Sequence, residues 1–340
     1  MKLLIVGSDE IWSLEKHYTK YLKEEGVEIT VCPLQSIFYK YYNKGIVNKI
    51  LFKLGLSGIE RSMGESLKAS VEQFKPDVVW VFKGMEVTPD VLKWVKSKGI
   101  KIVNYNPDNP FLFSGKGSGN KNLAKSIGLY DLHFSYDREI KSRIEKEYGI
   151  PCKILPFAFE LNELVYEECL KEQEVLKLCF LGNPDKKRAA FINELAADFQ
   201  IDVYGNAWSE FAQHSNITTH PAVYGNEFWK TLYKYRVQLN LMRPHNPNSH
   251  NMRSFEVPAV GGIGLFPATP DHCEYFEHDR ELFLYGNVQE CKEMAEAILK
   301  MPDQKINEVR RAARVKSVNA GYNYKHRALQ ALEEMNALLS

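Results

Sequence analysis

Residues 237–268, VQLNLMRPHNPNSHNMRSFEVPAVGGIGLFPA, decide the fold that we predict for this chain. They indicate a buried strand, a polar loop, a helix, a pair of glycines and a second apolar strand. In an open α/β sheet the loop leaving the carboxyl end of a strand faces the ligand crevice, and a helix start offers free backbone N–H groups. If the helix begins near Ser249, then Ser249, Arg253 and Glu256 share one face. The stretch predicts an anion site, although an ordinary surface ion pair between Arg253 and Glu256 fits the same spacing.

Length and charge indicate a globular protein of two domains. The 340 residues exceed the size at which a single core stops growing. The 44 Lys and Arg balance 43 Asp and Glu, so no general field attracts nucleic acid and any anion binding must be local. Apolar runs are too short to span a membrane and no signal-peptide pattern is present, so we expect a cytoplasmic protein. Six cysteines without a C-x-x-C pair favour buried free thiols.

The first half of the chain alternates strands and helices. Apolar runs such as KPDVVWVF (75–82) predict strands of a parallel sheet that is covered on both faces. The turn GSDE after the first strand lacks G-x-G-x-x-G spacing, which argues against a dinucleotide site. FSGKGSGNKNLAKSI (113–127) indicates a loop at the edge of a cleft rather than a P-loop. Asp108 lies between two prolines after a strand, where a plain turn and a contact with a substrate hydroxyl are both expected.

Residues 34–60 are rich in aromatic residues and lysine, as in FYKYYNKGIVNKILFKLGL (38–56). The pattern favours an amphipathic helix that covers one side of the sheet. It is also typical of a weak peripheral membrane contact, because apolar aromatics beside lysines suit an anionic interface.

A second series of strands and helices starts near residue 177. The acidic, loosely patterned segment 161–176 before it predicts a linker. The first loop of the new series, GNPDKKR (182–188), leads basic side chains into a helix, where they oppose the helix dipole unless an anion lies between them. The loop therefore favours a phosphate site near Arg188, and solvated surface charges are the alternative.

The two α/β series, the loop 182–188 and the motif RSFEVPAVGGIGLF (253–266) resemble glycosyltransferases of the GT-B fold. The core R-x-F-E-x-x-A-x-G-G is similar to the spore-maturation-protein-B-like group, which carries the glycosyltransferase group one C-terminal domain. The resemblance implies two Rossmann-like domains whose parallel sheets face a central cleft, with a C-terminal helix that returns to the N-terminal domain. The expected parts are an acceptor domain (1–160), a linker (161–176), a nucleotide-sugar domain (177–321) and the C-terminal helix (322–340).

The resemblance also implies roles for single residues. Glu256 is expected to accept hydrogen bonds from ribose and Arg253 to neutralise a diphosphate. With Asp108 at the acceptor, these form the predicted catalytic set. The predicted substrate-binding residues are Gly182, Asn183, Arg188, Tyr204, Asn206, Tyr224, Arg243, His250, Asn251 and Ser254. One departure concerns Asn248, which stands where the group usually has a glutamate near the transferred sugar.

No metal and no cofactor are expected beyond the donor substrate. Several histidines lie near one another in the sequence, but they lack regular ligand spacing. A contact of His245 or His250 with the sugar or phosphate is the preferred interpretation. The histidines concerned are His245, His250, His272 and His278.

The predicted function is transfer of a sugar from a nucleotide diphosphate sugar to a hydroxyl of a glycan, lipid-linked sugar, protein or small molecule. The resemblance implies a retaining, metal-independent reaction. The expected partners are the donor and the acceptor, without nucleic acid, and the oligomeric state stays open. A sugar-nucleotide epimerase or a phosphorylase of the same fold is an alternative. A non-catalytic nucleotide-sugar-binding or scaffold protein is another, motivated by Asn248.

Overall fold

Two compact units make up the part of the chain that the computed structural model describes, namely residues 1–10, 13–112, 119–244 and 246–340. Ile11, Trp12, the segment 113–118 and His245 lie outside these residues. Unit 1 holds residues 1–156 and 324–340, and unit 2 holds residues 157–323. Each unit contains a six-stranded parallel sheet with helices, which confirms the predicted α/β class.

The first unit begins with alternating strands and helices in chain order. Its strands are β1 (Lys2–Val6), β2 (Glu28–Cys32), β3 (Val78–Phe82), β4 (Lys101–Asn106), β5 (Leu132–Ser135) and β6 (Cys152–Ile154). Its helices before residue 157 are α1 (Leu14–Glu24), α2 (Leu34–Tyr42), α3 (Ile46–Lys53), α4 (Ile59–Phe74), α5 (Pro89–Ser97), α6 (Lys121–Ser126), a 3₁₀ turn (Ile127–Leu129) and α7 (Arg138–Tyr148). The sheet order is β2-β1-β3-β4-β5-β6. All five residues of β3 are buried, as a strand covered by helices on both faces requires.

Two segments of unit 1 differ from their predicted structure. The segment 34–60 forms α2, α3 and the start of α4 rather than one helix. The segment 113–127 is not wholly a loop, because α6 begins after Asn120, whose side chain accepts a hydrogen bond from the Leu123 N–H. This N-cap is the local signal that the glycine-rich composition obscured.

The second unit repeats the strand and helix alternation. Its strands are β7 (Val175–Leu181), β8 (Ile201–Tyr204), β9 (Ile217–His220), β10 (Tyr235–Leu239), β11 (Gly264–Pro267) and β12 (Phe283–Tyr285). Its helices are α8 (Glu163–Cys169), α9 (Lys186–Leu195), a 3₁₀ turn (Trp208–Glu210), α10 (Gly225–Lys234), α11 (Arg253–Ala259), α12 (Pro270–Tyr275), α13 (Val288–Lys300) and α14 (Asp303–Asn319). The order β12-β11-β10-β7-β8-β9 places β7 beside β10. The loops after both strands therefore leave the same carboxyl edge.

The segment 161–176, predicted as a linker, contains α8 and the start of β7. Several of its acidic residues form ion pairs with cations of α10, β10 and α14. Arg314 donates a 2.6 Å hydrogen bond to Glu163, and its guanidinium lies 4.3 Å from the ring centre of Tyr166. The acidic composition therefore reflects ion pairing within unit 2.

Helix α11 begins at Arg253 rather than near Ser249. The side chain of Asn251 accepts a hydrogen bond from the Ser254 N–H, which holds the preceding residues in a turn. Ser249 is buried and donates a 2.8 Å hydrogen bond to Asp271. Ser249 therefore does not share a helix face with Arg253 and Glu256, and the expected three-residue face is wrong.

The pair of glycines after α11 permits close packing before β11. A Cβ atom on Gly262 would lie 2.7 Å from the Leu232 carbonyl oxygen, closer than real side chains approach. The absence of a side chain at Gly262 thus lets the turn after α11 pack against α10.

The C-terminal helix, α15 (Tyr324–Leu339), belongs to unit 1 and confirms the expected return of the chain. Tyr324 stacks on His17 with ring centres 4.5 Å apart. Gln330 donates to the Ile154 carbonyl at 2.9 Å, and Glu334 pairs with Lys153 at 3.1 Å. These contacts fix α15 to both α1 and the edge strand β6.

Two further findings concern the cysteines and the apolar character of the helices. All six cysteines are free thiols; five are buried and Cys273 is exposed. In the described ranges, no helix combines the length and apolar character that crossing a bilayer requires.

Candidate functional site

A cavity of about 180 Å³ lies at the carboxyl edge of the unit 2 sheet. Its walls come from the loops after β7 and β8, the residues before α10, and the first residue of α11. Five of the predicted site residues line it: Gly182, Asn183, Tyr204, Tyr224 and Arg253. The cavity therefore occupies the place where ligands bind in open parallel sheets.

The loops after β7 and β8 are joined by hydrogen bonds and close contact. The Asn183 side chain accepts a 2.9 Å hydrogen bond from the Asn206 N–H, and Trp208 donates one of 2.8 Å to the Gly182 carbonyl. Gly205 has φ +155°, and a Cβ atom there would lie 2.5 Å from the Gly182 oxygen. Only glycine fits this approach, so the loop contact shapes one wall of the cavity.

Arg253 and Glu256 form an ion pair one helical turn apart at the cavity. Arg253 Nε also donates to the Leu181 carbonyl at 3.3 Å, and the guanidinium lies 4.4 Å from the ring centre of Phe228. Glu256 is buried, and this burial raises its pKa, while the charge and hydrogen bond of Arg253 oppose the rise. Arg253 therefore lines the cavity as a cation whose position is fixed by three contacts, one of them with the carboxylate of Glu256.

Arg188, in the first turn of α9, is a buried cation that points away from solvent. It donates a 2.6 Å hydrogen bond to the Leu241 carbonyl. Burial and the nearby charges of Arg243 and Arg253, opposed by Asp185, lower its pKa to about 10. Since the charges of Arg243 and Arg253 disfavour the charged form of Arg188, an anion beside these arginines would stabilise that form.

The backbone at the two relevant helix starts is already satisfied. Asp185 accepts hydrogen bonds from the Lys187 and Arg188 N–H groups at 3.0 and 3.1 Å. At α11, the N–H groups of residues 254–256 bond to carbonyls of residues 251 and 252. The expected free N–H groups are therefore engaged within the protein, and the arginine side chains are the groups that can meet an anion.

A buried polar network fixes the loop between β10 and α11. Asn240 donates to the Ser254 hydroxyl at 3.1 Å and accepts from the Asn251 amide at 2.7 Å. Ser254 Oγ lies 2.7 Å from His272 Nε2, and His272 Nδ1 lies 2.7 Å from the Pro267 carbonyl oxygen. The carbonyl requires a proton on Nδ1, so Nε2 accepts from the serine hydroxyl and the ring is neutral. Burial lowers the pKa of His272 to about 4, in agreement with a neutral ring.

A second network holds His250, which is completely buried. Its Nε2 accepts a 3.2 Å hydrogen bond from the Phe157 N–H, and its Nδ1 lies 2.6 Å from Asp271. These distances make Nδ1 the proton donor to the carboxylate. His250 therefore fixes the loop between β10 and α11 through its hydrogen bonds, and it does not line the cavity.

The remaining predicted site residues of unit 2 lie outside the cavity wall. Asn206 has an exposed side chain and contributes its backbone N–H, while Arg243 is exposed and acts on Arg188 through its charge. Asn251 and Ser254 belong to the buried network below α11. The polar atoms of His250, Asn251 and Ser254 bond to partners within the protein, and a contact of these residues with substrate stays a prediction.

Asp108 lies in unit 1, after β4, and pairs with Lys83 at 2.6 Å. Lys83 lines a separate cavity of about 370 Å³ in unit 1 and has a left-handed backbone with φ +61°. Aromatic rings form much of its wall: Phe38, Tyr39, Tyr42 and Phe52. Burial raises the pKa of Glu86, on the same wall, to about 7. The cavity thus combines aromatic rings, the ion-paired Lys83 and a carboxyl group whose pKa is raised to about 7.

Sequence reasoning missed several residues that shape the unit 2 site. Asp185 carries an N-cap signal directly before α9 that could have been recognised. Phe228, which packs under Arg253, has no local signal because its partner is distant in the chain. Asp271 in α12 has no local signal either, because its partners Ser249 and His250 lie in the loop before α11. Across the described residues, no group of three or more His, Cys, Asp or Glu side chains could hold a metal ion.

Comparisons with solved structures show the fold. Sucrose-phosphate synthase from Thermosynechococcus elongatus is 9% identical, with 99% of each chain covered and a TM-score of 0.71. Anabaena HepE in complex with UDP-glucose is 11% identical, covering 99% of this chain and 100% of that one, with a TM-score of 0.65. A glycosyltransferase from Rickettsia africae is 12% identical, covering 100% and 98%, with a TM-score of 0.64. The two six-stranded units therefore have the GT-B fold.

A family model gives a match independent of these structures. Residues 187–333 match the family described as "Glycosyl transferase-like". The matched range includes α9 from its second residue, the whole motif 253–266 and the start of α15. A search of the curated proteins finds no match.

Proposed function

We propose that the protein is a glycosyltransferase that uses a nucleotide diphosphate sugar as donor. One observation carries the proposal: Arg188, Arg243 and Arg253 gather beside a cavity at the carboxyl edge of the unit 2 sheet, next to the buried carboxylate of Glu256. The family match over residues 187–333 and the GT-B fold support the same class. The narrower resemblance to the spore-maturation-protein-B-like group stays a prediction.

The arginines suit the leaving diphosphate. As the glycosidic bond breaks, negative charge accumulates on the phosphate oxygens, and fixed cations in a partly buried site stabilise that charge. Arg253 is held by Glu256, the Leu181 carbonyl and the face of Phe228, so little reorganisation is needed when the diphosphate binds. Because three cations already serve this purpose, we propose a metal-independent reaction with no bound cofactor.

Glu256 suits the ribose hydroxyls. A carboxylate accepts two hydrogen bonds and is a strong acceptor for vicinal hydroxyl groups. Tyr204 and Tyr224, which line the cavity, supply aromatic surface for the base. HepE, which has the same fold, is described in complex with UDP-glucose, and this favours a uridine nucleotide as the first donor to test.

The acceptor hydroxyl is assigned to unit 1. The Lys83–Asp108 pair and Glu86 provide donors and acceptors for hydroxyl groups, and the rings of Phe38 and Phe52 suit a sugar face or an apolar aglycone. Retention of the anomeric configuration is part of the proposal and rests on the resemblance of the motif 253–262. Asn248, exposed in the loop before α11, stands where the resembled group usually has a glutamate near the transferred sugar.

An assay of nucleotide sugars tests the proposal. UDP-glucose, UDP-N-acetylglucosamine, GDP-mannose and dTDP-glucose are each incubated with the protein, and release of the nucleoside diphosphate is measured with and without alkyl glucosides as acceptors. We expect release from at least one donor, faster with acceptor, and abolished in Glu256→Ala with an unchanged circular dichroism spectrum. Epimerised nucleotide sugar without diphosphate release would support the epimerase, and no turnover with tight binding would support the scaffold protein.

A further inference from the structure

Helix α3 carries an apolar face that no part of the described chain covers. No residue of α3 is buried. Ile46, Val47 and Ile50 are 75%, 62% and 50% exposed, and Leu54 and Leu56 continue the surface beyond the helix. The helical positions 46, 47, 50 and 54 fall within about 100° of arc, so these side chains point in one direction. Contiguous exposed apolar surface of this kind marks an interaction site.

The same segment is uniformly basic. Residues 34–59 contain Lys40, Lys44, Lys49 and Lys53 and not a single Asp or Glu. The first carboxylate after them is Glu60, at the start of α4. Since Lys49 and Lys53 follow the apolar positions by three residues, cations border the apolar face along one side. Charge and apolar character therefore occur on one surface, which we define as residues 40–56.

We propose that the surface of residues 40–56 docks unit 1 onto a membrane with anionic headgroups. An interfacial helix inserts its apolar face to the depth of the acyl boundary while its lysines contact phosphate groups. The surface fits this geometry because its exposed isoleucines, valine and leucines can enter the acyl boundary while Lys49 and Lys53, beside the apolar face, contact the headgroups. Tyr39, 53% exposed at the end of α2, adds an amphipathic ring suited to the headgroup level.

The inner side of the same helices explains why docking would serve unit 1. Phe38, Tyr42 and Phe52 line the 370 Å³ cavity, and Phe38 packs edge to face on Phe52 with ring centres 5.0 Å apart. Lys49 lies 5.4 Å from the ring centre of Tyr42. The segment that carries the docking surface therefore also supplies aromatic residues to the cavity wall.

Flotation with vesicles tests the proposal on the full chain. The probes are vesicles of pure phosphatidylcholine and of phosphatidylcholine with 40% phosphatidylglycerol. We expect binding to the anionic vesicles at least tenfold stronger than to the neutral ones, because each lysine near an anionic surface contributes about fivefold. Binding should fall steeply in 0.5 M salt, which shortens the screening length.

Two variants and a control distinguish docking through this surface from non-specific binding of exposed apolar residues. The triple variant Ile46→Ser, Val47→Ser, Ile50→Ser and the triple variant Lys40→Gln, Lys44→Gln, Lys53→Gln should each weaken binding more than tenfold. The control changes equally exposed residues of unit 2, with exposed fractions of 69%, 62% and 50%, and should bind like the original chain: Leu164→Ser, Leu176→Ser and Val315→Ser.

Three results would overturn the proposal. One is equal binding to neutral and anionic vesicles, and another is unchanged binding of both surface variants. The third is self-association that the apolar triple variant abolishes without any lipid present, since the surface would then be a contact between copies. Donor turnover is measured in parallel without vesicles, so that loss of docking and failure of the proposed transferase activity are distinguished.

Discussion

The two cavities lie at equivalent edges of similar sheets and differ in their chemistry. Both are bordered by loops that leave the carboxyl ends of parallel strands. In unit 1 the cation Lys83 is matched by Asp108 and surrounded by aromatic rings. In unit 2 three arginines meet two carboxylates, Asp185 and Glu256. The fold thus fixes where a ligand binds, and the balance of charge at each edge decides which ligand it is.

Removing one arginine should have the largest effect on this comparison. Arg253→Met deletes a cation at the unit 2 cavity and leaves the buried Glu256 without its partner. We expect the turnover of the donor sugar to fall about 100-fold or more, as for loss of a group that stabilises developing charge. The control is Arg280→Met, which removes an exposed arginine paired with Glu277 at 2.9 Å and should leave turnover unchanged. Equal losses in both variants would contradict a specific role for Arg253.

The wall of the unit 2 cavity is tested through Gly205. Gly205→Ala places a Cβ atom 2.5 Å from the Gly182 oxygen, so the two loops must separate. We expect a stability loss of about 3 kcal/mol in urea unfolding. Gly225→Ala, at φ +58° with no atom within 4 Å of the new Cβ, should cost about 1 kcal/mol. Similar losses would show that the loop contact does not shape the wall.

Acid should lower the free energy of unfolding through His272, which bonds to Ser254 in α11. The pKa of this ring is about 4 in the fold, against an ordinary value of 6.5. The unfolded chain therefore binds more protons in this window, and the stability present above pH 6.5 is lost as the pH falls towards 4. Between pH 7.5 and 5 we expect a loss of about 2 kcal/mol that His272→Gln removes. His278→Gln, at a largely exposed ring, should keep the loss seen in the original chain.

The smallest expected effect concerns unit 1. Lys83→Met removes the 2.6 Å ion pair with Asp108, and we expect the KM for an acceptor to rise about tenfold, the equivalent of one lost charged hydrogen bond. Affinity for the donor nucleotide should stay constant. Lys96→Met, which removes a pair with Asp131 at 2.9 Å, is the matched control. A change in donor affinity in Lys83→Met, but not in Lys96→Met, would contradict the assignment of the donor to unit 2 and the acceptor to unit 1.

Contacts between residues close together in the sequence were easier to predict than contacts between distant segments. Arg253 and Glu256 were found because their spacing is local, and α11 keeps that spacing. The buried partners of His250 and Ser254, namely Asp271 and His272, could not be predicted because they come from a later helix. Hydrogen bonds between distant segments leave no periodic trace in the sequence. The strands were predictable for the opposite reason, since burial on both faces produces continuous apolar runs.

The most direct test of the central claim is a calorimetric titration that compares a nucleoside diphosphate with its monophosphate. UDP, GDP, ADP and dTDP are each titrated into the protein, followed by the matching monophosphates. If the arginine cluster holds a diphosphate, at least one diphosphate should bind ten times more tightly than its monophosphate, and Arg253→Met should remove most of that difference. Equal affinities for the two forms, or no binding of any diphosphate at 1 mM (about 4 kcal/mol of binding free energy), would contradict the account.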